Sequence, residues 1–186
     1  MVKRIRLIKG ALAITLISDD FITFDAMRCI CTDSNQQTEK MIERRHNILI
    51  LIVSGIVPSS AMYSELKHVL YDRIIIFSSE FNKRLLSGIG LLTPHFAGLN
   101  VSVQKTCFLF ENVLKLRTPK LRHVQLTPME HTIFDLLKRN LTIREIADIS
   151  LVKTKTVYIH IDKIKKKYAV NTIAELILKV SLSSSS

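Results

Sequence analysis

Three threonines, each followed three residues later by a glutamate, constrain the last third of this chain more than any other feature. The motifs are Thr127-Pro-Met-Glu130, Thr142-Ile-Arg-Glu145 and Thr172-Ile-Ala-Glu175. In such a capping box the threonine oxygen accepts a hydrogen bond from the first helical turn, and the glutamate accepts one from the threonine N–H. Because each motif opens an apolar-periodic run, we expect a helix to begin directly after each threonine.

The spacing of these starts predicts four helices, over about 128–139, 143–150, 154–168 and 173–182. Asn140 follows the first helix, and asparagine tolerates the left-handed conformation that often ends one. Only Leu151-Val152-Lys153 separate the second helix from the third. A tight turn between two short helices is the layout of a helix-turn-helix motif.

The third of these helices has two different faces. Val157, Ile161, Ile164 and Tyr168 recur at helical spacing and are predicted to face the core. The opposite side is mostly basic and includes a tyrosine and an isoleucine, and residues 119–180 carry twelve Lys or Arg against six Asp or Glu. Such a face suits the major groove of DNA, where lysines contact phosphates and shorter side chains reach base edges.

The charge and cysteine content of the whole chain agree with this interpretation. A net charge of +11 implies an anionic partner, either nucleic acid or a membrane surface. No apolar segment is long enough for a membrane helix, so we predict double-stranded DNA as the partner, no membrane, and a cytoplasmic protein. Cys29, Cys31 and Cys107 are predicted to be buried thiols, and we expect no metal site and no cofactor.

The C-terminal segment resembles the LuxR/FixJ (GerE-type) DNA-binding domain over about 60 residues. The resemblance implies that 142–150 is a scaffold helix, that 154–168 is the recognition helix, and that the last helix carries a dimer contact. It is carried by Leu126–Glu130, Leu136-Leu137, Leu141–Ala147, Thr156-Val157, His160, Ile164, Lys167 and Val170. The predicted DNA-binding residues are Lys155, Thr156, Tyr158, Ile159, His160, Asp162, Lys163 and Lys166, and the dimer contact uses some of Ile173, Leu176, Ile177 and Val180. For His160, a structural role at the helix edge is an equal alternative.

Several positions depart from the family pattern, which usually has Gly at Asn140, Leu at Ser150, Ser at Lys153, Leu at Tyr168 and Arg at Ile173. Lys153 removes the usual cap of the recognition helix, although Thr154 could replace it. Asp162 stands where relatives commonly carry a basic residue. A carboxylate repels phosphate but accepts from cytosine N4, so we predict an unusual operator or weaker DNA binding. Asp162→Lys should then strengthen nonspecific binding.

The first half of the chain follows a different pattern. Continuous apolar runs at Ala13–Ser18, Ile48–Val53 and Arg73–Phe77 predict buried strands of a parallel sheet. Helices are predicted from Phe21 to about Cys31, Ser59 to about Tyr71 and Val103 to about Leu116. The basic N-terminus and the short run that follows it are similar to a signal peptide, but without a cleavage site we expect a buried strand. The predicted fold is an α/β domain over 1–117, a linker over 118–125, an all-α domain over 126–182 and a tail over 183–186.

This half resembles, more faintly, a response-regulator receiver domain. Asp19 and Asp20 fit the acidic pair after the first strand, and Ser78 fits the conserved Thr/Ser. Ser54 stands where the phosphorylated aspartate belongs, and no lysine lies near 91–97. Because serine cannot form an acyl phosphate, the resemblance implies a degenerate receiver in which Asp19 and Asp20 are relics or solvated strand ends. An unrelated α/β domain is the alternative.

The sequence therefore predicts a dimeric, sequence-specific transcription regulator that does not depend on aspartyl phosphorylation. The first alternative is a co-regulator that pairs with a related response regulator and adds mainly nonspecific DNA contacts. A sigma factor shares part of the helical pattern, but it needs an all-helical first half. An enzyme is not expected, because the sequence has no Gly-rich phosphate loop and no nucleophile–base pair.

Overall fold

The computed structural model describes residues 2–9, 12–33, 46–66, 71–88, 93–115 and 124–184. The chain divides into two compact units, Met1–Lys83 with Ile89–Leu121 and Arg84–Gly88 with Arg122–Ser186. Residues 118–123 of the predicted linker and residues 185–186 of the predicted tail lie outside the described residues. The domain boundaries given above stay a prediction.

The described part of the first unit contains a five-stranded sheet in sequential order. Its strands are β1 (Lys3–Lys9), β2 (Leu12–Ser18), β3 (His46–Val53), β4 (Arg73–Ser78) and β5 (His95–Ala97). The strands from β2 to β5 pair in parallel. The central strands β3 and β4 are buried over nearly their whole length, as expected for a sheet covered on both faces. The three predicted strands and their parallel pairing are confirmed.

Strand β1 was not predicted, and it runs antiparallel to β2. Only two residues separate the two strands, and such a short connection can join antiparallel strands but not parallel ones. Ile5 and Leu7 pack against the core while Arg4, Arg6 and Ile8 are exposed, which is the alternation of a one-sided edge strand. In the flavodoxin-like order 2-1-3-4-5, the edge position beside the first parallel strand is taken by the second one along the chain. In the described sheet, this edge position beside β2 is taken by β1, which comes earlier in the chain and runs antiparallel.

Four helices accompany the sheet among the described residues: α1 (Phe21–Asp33), α2 (Ser60–Glu65), α3 (Glu80–Leu86) and α4 (Val103–Lys115). Phe24 and Met27 of α1 and Val113 of α4 belong to one core cluster with the inner residues of β2 to β4. The second predicted helix is shorter than expected, since α2 ends at Glu65, and residues 67–70 lie outside the described part. Helix α1 ends at Asp33 and β3 begins at His46, and residues 34–45 lie outside the described part.

The second unit contains α5 (Pro128–Lys138), α6 (Ile143–Ile149), α7 (Thr154–Tyr168) and α8 (Ile173–Ser184). These bounds confirm the four predicted helices to within about two residues. All four contribute to one core, with Ile133, Ile146, Val157, Ile164 and Leu176 fully buried. No helix within the described ranges is long and apolar enough to cross a membrane.

The three cysteines differ in their surroundings. Cys31 is buried, and burial raises the pKa of its thiol to about 12. Cys107 is half-buried and Cys29 is exposed, so the prediction of buried thiols is wrong for Cys29. Across the described ranges, no group of three or more His, Cys, Asp or Glu side chains is arranged to hold a metal ion.

Candidate nucleic-acid interface

Two of the three predicted capping boxes form as expected. Thr127 Oγ1 accepts from Glu130 N over 3.4 Å, and Glu130 Oε2 accepts from Thr127 N over 2.8 Å. The Thr142 and Glu145 pair makes the same two bonds at 3.4 and 2.7 Å. In the third motif Thr172 Oγ1 accepts from Glu175 N, but the Glu175 carboxylate accepts from the N–H of Asn171, one residue before the predicted partner. The helix starts are therefore fixed locally, as the sequence indicated.

The ends of α5, α6 and α7 share one geometry. Asn140, Leu151 and Ala169 follow the three helices with φ values of 59°, 55° and 53°. After α6, Val152 N donates to Ala147 O over 3.0 Å and Leu151 N donates to Asp148 O over 3.3 Å. This pair of bonds is a Schellman motif, which usually has glycine at the left-handed position. The role predicted for Asn140 is confirmed, whereas the left-handed Leu151 and Ala169 were not predicted.

The turn between α6 and α7 covers residues 150–153 and completes the helix-turn-helix. Lys153 is the N-cap of α7, and its side chain makes no capping hydrogen bond. The loss of the usual cap is therefore confirmed, and Thr154 is the first residue of α7 instead of its N-cap. Leu151 at the tip of the turn is 92% exposed.

The inner face of α7 holds the helix against its domain. Val157, Ile161 and Ile164 are buried, as predicted. Tyr168 is half-buried and stacks on Phe134, with 5.3 Å between ring centroids and 22° between ring planes. These contacts fix the rotation of α7 about its own axis, and that rotation decides which side chains face outward.

The outer face of α7 carries most of the predicted DNA-binding residues. Tyr158 and Ile159 are 54% and 47% exposed. The other exposed predicted residues are Lys155, Asp162, Lys163 and Lys166, and Thr156 and His160 are half-buried. His160 Nδ1 is buried and has no hydrogen-bond partner among the described residues. The structure thus brings together a surface with three lysines, one carboxylate, a phenol and an isoleucine.

The basic run Lys163–Lys167 at the end of α7 contains lysines with two different environments. Lys167 Nζ donates to Glu130 Oε2 over 2.6 Å and to Gln125 O over 2.9 Å. Glu130 is only 2% exposed, and the hydrogen bond from Lys167 is the main cause that lowers the pKa of its carboxyl group. Lys167 therefore ties the end of α7 to the start of α5. Lys163 and Lys166 of the same run point outward.

A second internal pair in this run was missed by sequence reasoning. Lys165 Nζ lies 2.8 Å from Asp162 Oδ1, and the side chains are 23% and 63% exposed. The hydrogen bond from Lys165, followed by its charge, lowers the pKa of the Asp162 carboxyl group. The spacing of three residues on one helix could have indicated this pair, because side chains at i and i+3 are neighbours.

The four residues predicted for the dimer contact lie in two environments on α8. Leu176 and Val180 are 0% and 5% exposed and belong to the core of their own domain. Ile173 and Ile177 are half-buried. Of the four, only Ile173 and Ile177 have surface available to a second chain, so a dimer role on α8 depends on these two.

In the first unit, the residues that fit a receiver site bond to one another. Asp19 Oδ1 accepts from Ser54 N over 2.8 Å and from Ser54 Oγ over 2.6 Å, and Asp19 Oδ2 accepts from Gly55 N over 3.0 Å. A Cβ atom at Gly55 would lie 3.2 Å from Asp19 Oδ2, so glycine permits the close approach. Both carboxylate oxygens of Asp19 thus hold the loop after β3.

Asp20 is also committed to local structure. Its carboxylate accepts from Ile22 N over 3.3 Å and from Thr23 N over 3.2 Å, and from the hydroxyl of Thr23. These bonds cap the N-terminus of α1, and the bond from the Thr23 hydroxyl is the main cause that lowers the pKa of Asp20. Ser78 is buried, and its hydroxyl donates to Ser79 O over 3.2 Å. The three residues that fit a receiver site are thus bonded within the loops and the helix start that follow the strands.

Comparison with known proteins agrees with this description. Residues 124–180 match the family described as bacterial regulatory proteins, luxR family. Among solved structures, the chain is similar to the two-component response regulator RcsB in complex with DNA, with a TM-score of 0.59, 16% identity, and coverage of 94% of this chain and 99% of that chain. It is similar also to a structure of two RcsB dimers bound to two parallel DNAs, with a TM-score of 0.59, 15% identity and the same coverage. No curated protein matches the chain.

At this level of identity the likeness to solved structures shows the fold. The shared architecture is a mostly parallel, receiver-like α/β domain followed by a helical domain with a helix-turn-helix. The family match identifies the second of these domains independently of the structural comparison.

Proposed function

Because residues 124–180 are a helix-turn-helix domain of the luxR family, whose members are DNA-binding regulators, we propose that this chain is a transcription regulator that binds specific DNA sequences as a dimer, without control by aspartyl phosphorylation. The observation that carries the DNA binding is the outer face of α7, where exposed lysines surround exposed Tyr158 and Ile159. No enzymatic activity forms part of this proposal.

In this proposal α7 is the recognition helix and enters the major groove, while α6 is the scaffold helix that packs against it and stays outside the groove. Lys155, Lys163 and Lys166 contact phosphates, while Tyr158, Ile159 and Asp162 reach base edges. Thr156 and His160 are half-buried at the border of this surface, and in this proposal they contact the DNA backbone. The buried, unpartnered Nδ1 of His160 makes the structural role of that residue at the helix edge equally compatible with the fold.

Dimerisation through α8 would place two recognition helices on one duplex. Ile173 and Ile177 are the predicted contact residues with accessible surface, and they lie one helical turn apart. A symmetric pair of domains binds two half-sites spaced by about 10 base pairs, one turn of DNA.

Independence from phosphorylation is supported by the contacts of Asp19, Asp20 and Ser54. Phosphoryl transfer to an aspartate needs a carboxylate nucleophile and a metal that neutralises the phosphoryl oxygens. Here Ser54 replaces the nucleophile, both oxygens of Asp19 bond the loop of Ser54 and Gly55, and Asp20 caps α1. We expect acetyl phosphate with Mg²⁺ to leave the DNA affinity unchanged, and a large increase would contradict this part of the proposal.

The experiment that tests the proposal is selection of binding sites from random duplex DNA with the full-length protein at ~150 mM salt, where nonspecific phosphate binding is largely suppressed. An enriched pair of half-sites about one helical turn apart is the expected result. A matched pair of variants is Lys163→Gln on the outer face of α7 and Lys138→Gln on α5, and only the first should weaken binding. Binding that disappears as salt rises, without enrichment, would instead favour a co-regulator that needs a related partner.

A further inference from the structure

The outer face of α7 contains one acidic side chain among its lysines, and this carboxylate is well exposed. The side chain of Asp162 is 63% exposed, and it follows Ile159, which is 47% exposed, by three residues. Side chains at i and i+3 project from the same helix face. On a surface that binds DNA, this carboxylate is repelled by phosphates, and a contact with a neighbouring cation offsets the repulsion.

Lys165 supplies that contact and holds the carboxylate in place. Its Nζ lies 2.8 Å from Asp162 Oδ1 and makes a longer bond of 3.5 Å to the backbone oxygen of Asn171. Its side chain is only 23% exposed, less than half the exposure of the Asp162 side chain. The ammonium group is thus fixed between the end of α7 and the start of α8, and it faces Asp162 instead of solvent. Asp162 Oδ2 can accept a hydrogen bond from outside the protein.

The chemistry of base edges decides what this oxygen can read. In the major groove cytosine presents an N4 amino donor, guanine presents two acceptors, and adenine presents a donor beside an acceptor. A carboxylate accepts but cannot donate, so it favours cytosine and is repelled by guanine. A branched apolar side chain such as Ile159 fits the methyl group that only thymine carries.

The separation of the two side chains matches the spacing of neighbouring base pairs. Three residues advance a helix by about 4.5 Å, and successive base pairs are about 3.4 Å apart. A helix that crosses the groove at an angle therefore presents Ile159 and Asp162 to adjacent base pairs.

We propose that Ile159 and Asp162 read a thymine and a cytosine on adjacent base pairs of each half-site, and that Lys165 is the positioning residue that holds Asp162. This inference rests on the proposed DNA-binding function and goes beyond it by naming the bases. It also assigns Lys165 a task different from that of Lys163 and Lys166, which point outward and contact phosphates.

The test is site selection with the full-length protein, followed by affinities for the selected duplex and for a duplex in which the cytosine is replaced by thymine. The variants are Asp162→Asn and Lys165→Gln. The matched controls are Asp135→Asn and Lys138→Gln, since Asp135 and Lys138 form the same i, i+3 pair on α5, with 3.5 Å between Nζ and Oδ1. Asp162, Asp135 and Lys138 are exposed and Lys165 is half-buried, so circular dichroism should show unchanged folding in all four variants.

We expect the wild type to prefer cytosine over thymine at this position by roughly tenfold or more, in line with the discrimination of a single good base contact. Asp162→Asn should remove most of that preference and leave the other positions of the site unchanged. Lys165→Gln should weaken the same preference while the salt dependence of binding stays the same. The Asp135→Asn and Lys138→Gln controls should keep the wild-type preference.

Three results would overturn the inference, and the third would also refute the proposed function on which it rests. An unchanged base preference in Asp162→Asn would show that Asp162 reads no base. A uniform loss of affinity in Lys165→Gln for all duplexes, with the salt slope reduced by about 1, would show that Lys165 contacts a phosphate instead. If the wild type enriches no duplex at all, the proposed function itself fails and the inference falls with it.

Discussion

Leu151 offers a direct measure of the strain at the end of a helix. The residue follows α6 with a φ of 55°, donates to Asp148 O, and is 92% exposed. Its side chain therefore gains almost nothing from burial, while its backbone occupies a region that favours glycine. We expect Leu151→Gly to stabilise the second unit.

The magnitude follows from two opposing terms. A left-handed backbone costs a residue other than glycine about 1–2 kcal/mol. Glycine in turn loses more conformational freedom on folding, which costs about 0.5–1 kcal/mol. Because the Leu151 side chain contributes no packing that the substitution removes, the difference leaves a stabilisation of about 0.5–1 kcal/mol.

The assay is native-state hydrogen exchange of the buried α7 amides, such as those of Ile161 and Ile164, in the full-length protein. This measurement reports the unfolding free energy of the second unit without interference from the first. The matched control is Arg139→Gly, because Arg139 is an exposed helix C-cap with a φ of −83°. It should destabilise the same amides by about 0.5–1 kcal/mol. Equal destabilisation by the two glycine substitutions would refute the strain argument.

Three further predictions concern the same domain. Thr142→Ala should lower the unfolding free energy by about 1 kcal/mol in the same exchange experiment, because Glu145 N loses its acceptor, the Thr142 hydroxyl. Glu130→Gln should destabilise the domain at neutral pH, since Glu130 is ionised and paired with Lys167. Because the pKa of Glu130 is lowered in the folded state, the stability that its carboxylate contributes is present above the ordinary pKa of 4.5 and is lost as the pH falls below that value. Urea titrations should therefore show the unfolding free energies of the wild type and Glu130→Gln converging toward acid pH. Val157→Ala should cost about 1–3 kcal/mol, because the side chain is fully buried, and thermal unfolding should show the loss.

The helix starts of the second unit could be read directly from the sequence. A capping box is a contact between residues three apart, so Thr127 with Glu130 and Thr142 with Glu145 need no information from the rest of the fold. The core side of α7 was predictable for the same reason, since helical periodicity places Val157, Ile161 and Ile164 on one face. The continuous apolar runs of β2, β3 and β4 identified buried parallel strands in the first unit.

Other features were decided only by tertiary structure. Residues 3–9 form a strand because they pair with the open edge of the sheet at β2. Their basic sequence by itself is also similar to the start of a signal peptide, so the sequence did not predict this strand. Asp19 has its partners at Ser54 and Gly55, which are 35 and 36 residues away. Sequence patterns describe neighbours along one helix or strand, whereas these contacts join distant segments.

The basic run of α7 shows the same division within five residues. The sequence determined that Lys163, Lys165, Lys166 and Lys167 are positively charged and lie on one amphipathic helix. Only the packed domain decided that Lys167 is bound to buried Glu130, which lies 37 residues earlier in the chain, while Lys163 and Lys166 remain on the surface. The physical reason is that charge belongs to a residue, but its availability to DNA depends on partners that folding brings from elsewhere in the chain.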